Sequence, residues 1–114
     1  MFDSVSFSAI NSALDGLALR QRVIANNVAN INTRDFHAGR VEFETALASA
    51  VQDGYGTVAA TEGTSIEPTN TNGNNVNLDT ETLQNIDTNL RYQLATQAAD
   101  QEFSFLRIAT GSGS

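Results

Sequence analysis

A chain of 114 residues has room for one domain of ordinary size and not for two independent cores. The lack of cysteine removes disulfide frameworks and thiolate metal sites from consideration. A formal net charge of −7, with six arginines and no lysine, argues against nucleic-acid phosphates or anionic lipid as the main partner.

The amino terminus, MFDSVSFSAINSALDG, carries an acid where a secretory signal would carry bases, and it has no unbroken apolar run. Nowhere does the chain offer the about 20 consecutive apolar residues that cross a bilayer. These signals predict a soluble chain with no cleaved secretory signal and no direct membrane insertion. Residues 1–32 read as a helix. Phe7, Ile10, Leu14, Leu17, Gln21, Ile24, Val28 and Ile31 recur at spacings of 3-4-3-4-3-4-3, a seam that faces a partner over three heptads and is interrupted only by Gln21. Helical from Phe7 to Ile31, the segment is about 37 Å long, more than a compact chain of this size covers comfortably. It is either an ordinary core helix or one helix of a coiled coil in a larger assembly.

Residues 33–51 read as a turn and a following segment, and residues 52–77 as a polar loop. The loop holds only Val58, Ile66 and Val76 of the chain's Leu, Ile, Val and Phe residues, beside Gly54, Gly56, Gly63, Pro68 and the run TNTNGNN. It cannot bury enough apolar surface to offset its ordering entropy, so at most a short hairpin is expected there. Residues 78–110 read as a second long helix, with Asp79 as the N-cap and Glu81 in the first turn. Leu83, Ile86, Leu90, Leu94, Ala98, Phe105 and Ile108 form one stripe on it, and Tyr92, Ala95, Ala99, Phe103 and Leu106 a second on the other side. Residues 111–114 are a tail. A helix apolar on more than one face needs more cover than one small chain supplies, so other subunits are expected to provide it. The expected fold class is mainly α. Long N- and C-terminal helices pair as a coiled coil around an irregular middle, in a single subunit ordered chiefly in its assembly.

Candidates for chemistry are weak. The lone His37 has neither cysteine nor a second histidine to work with, and Glu42 and Glu44 would diverge on a helix. Asn70, Asn72, Asn74 and Glu81 fall at calcium-loop offsets, but Asn75 stands where the turn needs glycine and Leu78 occupies a ligand position. GYGTVA is half of a dinucleotide fingerprint without its strand or helix, and reads as a turn. No catalytic site, cofactor or metal is expected.

The most specific feature is RQRVIANNVANINTRDF, residues 20–36. It resembles the amino-terminal signature of flagellar axial proteins, the rod, hook and hook-associated subunits. Arg20, Gln21, Ile24, Ala25, Asn26, Asn27, Ala29, Asn30, Asn32, Thr33 and Phe36 stand at the matching places. NGNNVNLDTE, with Asn74, Asn75, Val76, Leu78 and Asp79, resembles the carboxy-terminal part of proximal rod proteins, as do NLRYQLATQ and FSFLRIATG after it. Arg34 and Asp35 replace the Pro-Gly usual in that family, which leaves the local backbone path open. Asn26, Asn27 and Asn30, spaced three and four apart, are expected to put their amides on one side of the last helical turns. There they would either bond to neighbouring backbones where subunits meet or cap a fraying end.

The resemblance implies a structural subunit of the bacterial flagellar proximal rod, polymerising helically into the base of a hollow drive shaft that transmits torque across the periplasm and encloses the export channel. The partners it implies are copies of itself, other rod proteins, and the MS-ring adaptor protein and export gate at the rod base. Delivery unfolded by the flagellar type III apparatus is implied too. Phe43 and Leu47 fit an F-x-x-x-apolar pattern that resembles the gate-recognition motif of rod and hook substrates, although two residues on one core face would look the same. On this reading the seam and both stripes are subunit-interface positions. The alternatives are the second proximal rod protein, and a self-contained helical adaptor or export chaperone.

Overall fold

The computed structural model describes the backbone of residues 4–110 and the side chains of residues 5–102 and 104. The elements run α1 (Ser4–Ala29), β1 (Gly39–Glu42), α2 (Glu44–Gln52), β2 (Thr61–Thr64) and α3 (Leu78–Thr110). α1 and α3 lie side by side and antiparallel. Asn27 meets Glu81 at one end, Gln21 Nε2 donates to Asn89 Oδ1 at 2.7 Å in the middle, and Ser6 Oγ donates to Glu102 Oε1 at 3.1 Å at the other. The principal dimensions are 63 × 29 × 15 Å. The radius of gyration of 17.7 Å exceeds the about 13 Å of a compact chain of this length. The accessible surface, 7406 Å², likewise exceeds the about 6,100 Å² of a compact monomer of this mass.

β1 and β2 form an antiparallel pair with Gly39 opposite Thr64 and Glu42 opposite Thr61. The hairpin thus draws its first strand from the segment 33–51 and only its second from the polar loop. Val41 turns inward from β1 and is buried, while β2 is exposed throughout. Glu42 lies in a strand and Glu44 in a helix, so the two carboxylates diverge for a different reason than expected.

The apolar core is small. Leu17, Val23, Val41 and Phe43 are buried together, with Ala13, Leu47, Val58, Tyr92 and Ala95 packed against them. Gly16 admits the Phe43 ring, because a Cβ there would stand 2.5 Å from Phe43 Cδ1. Among the described residues buried polar side chains match buried apolar ones, seven of each. Such an interior holds only if its polar groups are hydrogen-bonded.

Several expectations need correction. α1 ends at Ala29 rather than near residue 32, because Asn30 N–H is shared between the Asn26 and Asn27 carbonyls and the chain then tightens into turns. The N-cap of α3 is Asn77 and not Asp79: its Oδ1 accepts from Asp79 N at 2.9 Å and Thr80 N at 3.2 Å. On α1, Leu17 and Ile24 of the seam are buried, Phe7, Ile10, Leu14, Gln21 and Ile31 half-buried, and Val28 exposed. The buried arc runs through Ser12, Gly16, Val23 and Asn27 as well, and is rotated about a quarter turn from the seam. The cause is that α1 packs against β1 and α2 as well as α3, so its inward face is not a two-helix seam.

On α3 the correction is larger. Leu83, Ile86, Leu90 and Leu94 are 69, 60, 55 and 57% exposed and point away from α1. The inward face carries Glu81, Thr88, Tyr92, Ala95 and Ala99, so α3 meets α1 through its second, smaller stripe. Phe103, Phe105, Leu106 and Ile108 lie outside the described side chains, and residues 111–114 outside the described backbone.

Candidate functional site

The two signature segments, residues 20–36 and 72–81, meet in one place: the end of α1, the start of β1 and the start of α3. Asn27 is fully buried at the centre. Its Oδ1 accepts from Gly39 N at 2.8 Å, and its Nδ2 donates to Gly39 O at 3.1 Å and to Glu81 Oε1 at 2.8 Å. The amide thereby treats Gly39 as a strand neighbour would. The missing side chain at residue 39 also lets β1 pass close to α1, since a Cβ there would stand 2.8 Å from Val23 Cγ1.

Glu81 is also fully buried, and its Oε2 lies 3.0 Å from Arg40 Nη1. This is an ion pair by distance but is not aligned as a hydrogen bond, and Oε2 otherwise has no partner. Arg40 Nη1 donates to Gly39 O at 2.9 Å. A buried carboxylate is tolerated only when paired and hydrogen-bonded, so α1, β1 and α3 must each deliver a partner at once.

The second signature closes the same region. Asn75 Oδ1 accepts from Ala38 N at 2.7 Å, while its Nδ2 donates to Ser65 O at 3.1 Å and Glu67 O at 3.2 Å, joining the chain before β1 to the chain after β2. Asn74 Nδ2 donates to Asn30 O at 2.8 Å and Thr33 O at 2.7 Å. Those carbonyls lie just beyond the end of α1 and also accept from Thr33 N and Phe36 N, so a residue just before α3 holds the turns that end α1. Asn30 Nδ2 in turn donates to Asn26 O at 2.8 Å. The expectation of one shared amide face is therefore corrected: Asn26 and Asn30 cap locally, and Asn27 points the other way into the interior.

Asp35 has φ of 60°, the left-handed region that favours glycine. Its N–H donates to Asn72 O at 3.0 Å, which holds the turn. The backbone path that Arg34-Asp35 left open is thus a turn with Asp35 in the left-handed region.

Arg20 makes a second tie. It forms a bidentate pair with Glu44 at 2.6 and 2.8 Å, donates to Val41 O at 2.6 Å, and lies over the Phe43 ring at 5.1 Å from its centre. Arg91 of α3 adds a contact to Glu44 at 3.3 Å. The hydrogen bonds from Arg20 are the main reason the Glu44 carboxyl falls from 4.5 to about 2, and the same contact raises the Arg20 guanidinium.

Of the signature positions, Ile24, Asn27, Asn74, Asn75 and Val76 are buried, and Arg20, Gln21, Asn30 and Phe36 half-buried. Ala25, Asn26, Ala29, Asn32, Thr33, Leu78 and Asp79 are exposed. Phe43 is buried and Leu47 packs against it. The weak calcium likeness dissolves, because Asn74 and Glu81 are engaged as described. Among the described residues no group of three or more His, Cys, Asp or Glu converges, and no helix is long and apolar enough to cross a membrane. Sequence reasoning missed Glu81, Arg40 and Glu44 as partners. The one available signal was charge: these are among the few ionisable groups beside the signatures.

The helical pair is thus locked by asparagines from both signature segments. The family model described as flagella basal body rod protein matches residues 10–36. Along nearly its whole length the chain is similar to proteins named flagellar basal body rod protein FlgB. That of Borreliella burgdorferi is 28% identical, covering 92% of this chain and 93% of the relative, and that of Bacillus subtilis is 26% identical, covering 91% and 92%. The FlgB of Borrelia hermsii is 50% identical over 38 residues, 33% of this chain and 28% of that protein.

Asn27→Ala strips bonds from Gly39 and Glu81 and is expected to cost about 2–4 kcal/mol in urea unfolding. Asn27→Asp, which adds a carboxylate beside Glu81 and donates nothing, should cost more; an equal or smaller loss would contradict the assigned bonds. For Glu44 the folded value lies below the ordinary 4.5, so its contribution is fully present above pH 4.5 and is lost as pH falls toward 2. The side chain is 40% exposed, and solvent screens much of the effect. Stability measured across that window should fall less steeply in Glu44→Gln than in the native chain, and parallel curves would rule the pair out as its cause.

Proposed function

We propose that the chain is a structural subunit at the proximal end of the bacterial flagellar basal-body rod, polymerising helically around the export channel and passing torque through packing. The role involves no chemistry. The observation that carries the reading is the outward stripe of α3: Leu83, Ile86, Leu90 and Leu94 are each more than half exposed on an elongated molecule. Apolar side chains aligned over three helical turns call for cover that this chain does not give them. Neighbouring copies and other rod proteins supply it, with the MS-ring adaptor protein and export gate below.

Export by the flagellar type III apparatus into the periplasmic rod belongs to the same proposal. Phe43 and Leu47 are packed in the fold, so a gate that reads them must meet the chain unfolded. One complementation experiment in a flagellated strain lacking its own copy tests both parts. Leu83→Asp combined with Leu90→Asp should be secreted normally yet give no motility and no rods by electron microscopy of basal bodies; intact rods would sink the stripe as an interface. Phe43→Ala combined with Leu47→Ala should be expressed but secreted poorly. Normal secretion would make both residues core and nothing more.

A further inference from the structure

We propose that the apolar groove between α1, α2 and α3 receives the Leu83–Leu94 stripe of a second copy of this chain, in a head-to-tail contact. The proposal rests on reading the chain as a polymer subunit and names the surfaces that join. Ala13, Leu17, Phe43, Leu47, Val51 and Ala95 line the groove, which encloses about 360 Å³ and opens to solvent. Alanines at 13 and 95 leave room where α1 and α3 approach each other. The charged groups on its rim, Glu44 and Arg91, face each other at 3.3 Å and offset one another. The groove therefore suits an apolar strip whose edges carry no net charge.

The stripe has that chemistry. Leu83, Ile86, Leu90 and Leu94 fall within an arc of about 80° on α3; one flank carries the neutral Asn89, Gln93 and Thr96, and the other Asp87 and Arg91, which pair with each other at 3.0 Å. Its length, about 16 Å, is close to the about 12 Å that α2 and its preceding residue present from Phe43 to Val51. The same chain cannot make this contact with itself. Arg91 and Ala95 of α3 border the groove, and the stripe lies on the side of α3 away from α1.

Groove and stripe are different surfaces, so the contact repeats from copy to copy instead of closing as a symmetric pair would. Four partly covered side chains fall short of the about 800 Å² each partner contributes to a stable complex. A single contact is therefore weak in dilute solution and gains strength where every subunit both gives a stripe and receives one.

The chain has no cysteine, so introduced thiols report only on each other. Leu90→Cys and Ala48→Cys, the latter bordering the groove, are made as separate full-length chains carrying tags of different size. They are treated with a short bismaleimide as a mixture, both in concentrated solution and in basal bodies from cells expressing the two. The expected product joins one chain of each kind, in several-fold excess over any product from either variant alone. Leu90→Cys cross-linking mainly to itself would overturn the proposal in favour of a symmetric zipper. No mixed product in basal bodies that contain both variants would overturn it while leaving the rod reading intact. Absence of both variants from basal bodies would overturn the rod reading, and the concentrated solution would still decide whether groove and stripe meet.

Discussion

Burying the Glu81 carboxylate is the constraint on which the rest of the fold depends. Taken from water alone, that group costs several kcal/mol. Here Asn27 and Arg40 answer it from α1 and β1, and Glu81 itself belongs to the first turn of α3. All three elements must arrive together or a charge is stranded, so the cluster sets register as well as contributing stability. Asn27 also occupies both main-chain groups of Gly39, which fixes where β1 begins. With β1 placed, Val41 and Phe43 fall into the core beside Leu17, and Arg20 can reach Glu44.

A polar interior leaves the apolar residues for other uses. The side of α3 that meets α1 is built from Glu81, Thr88, Tyr92 and alanines, whereas its leucines face outward. Within one subunit, directional hydrogen bonds and ion pairs select a single arrangement. The outward apolar surface is non-directional, and on the proposed function it is what neighbouring subunits would cover.

The long helices were legible because a 3.6-residue period survives in Leu17, Ile24, Leu83 and Leu90, whatever they pack against. Which face turns inward was not legible. Periodicity says which residues share a side, and α3 has two sides to choose from; its bulkier one looks outward. Asn77 and Asp79 are both good N-caps two residues apart, and local sequence does not separate them. The pairs Arg20 with Glu44 and Arg40 with Glu81 span long stretches of chain and leave no local pattern. Asn27 was singled out with Asn26 and Asn30, but its role required knowing that a glycine strand runs past it. Similarly, Asp35 could be seen to replace a glycine, while its left-handed backbone could only be observed.

The central claim is that the ends of α1, β1 and α3 are held as one unit by side chains acting on backbone. Ala38 and Gly39 test it directly, because their N–H groups bond to the Asn75 and Asn27 side chains rather than to a neighbouring strand. Native-state hydrogen exchange should find these two amides protected, opening with the same free energy as the Val23–Asn27 turn of α1 and the first turns of α3, as members of one cooperative unit do. Exchange of Ala38 and Gly39 at the rate of an open loop, while both helices stay protected, would contradict the account.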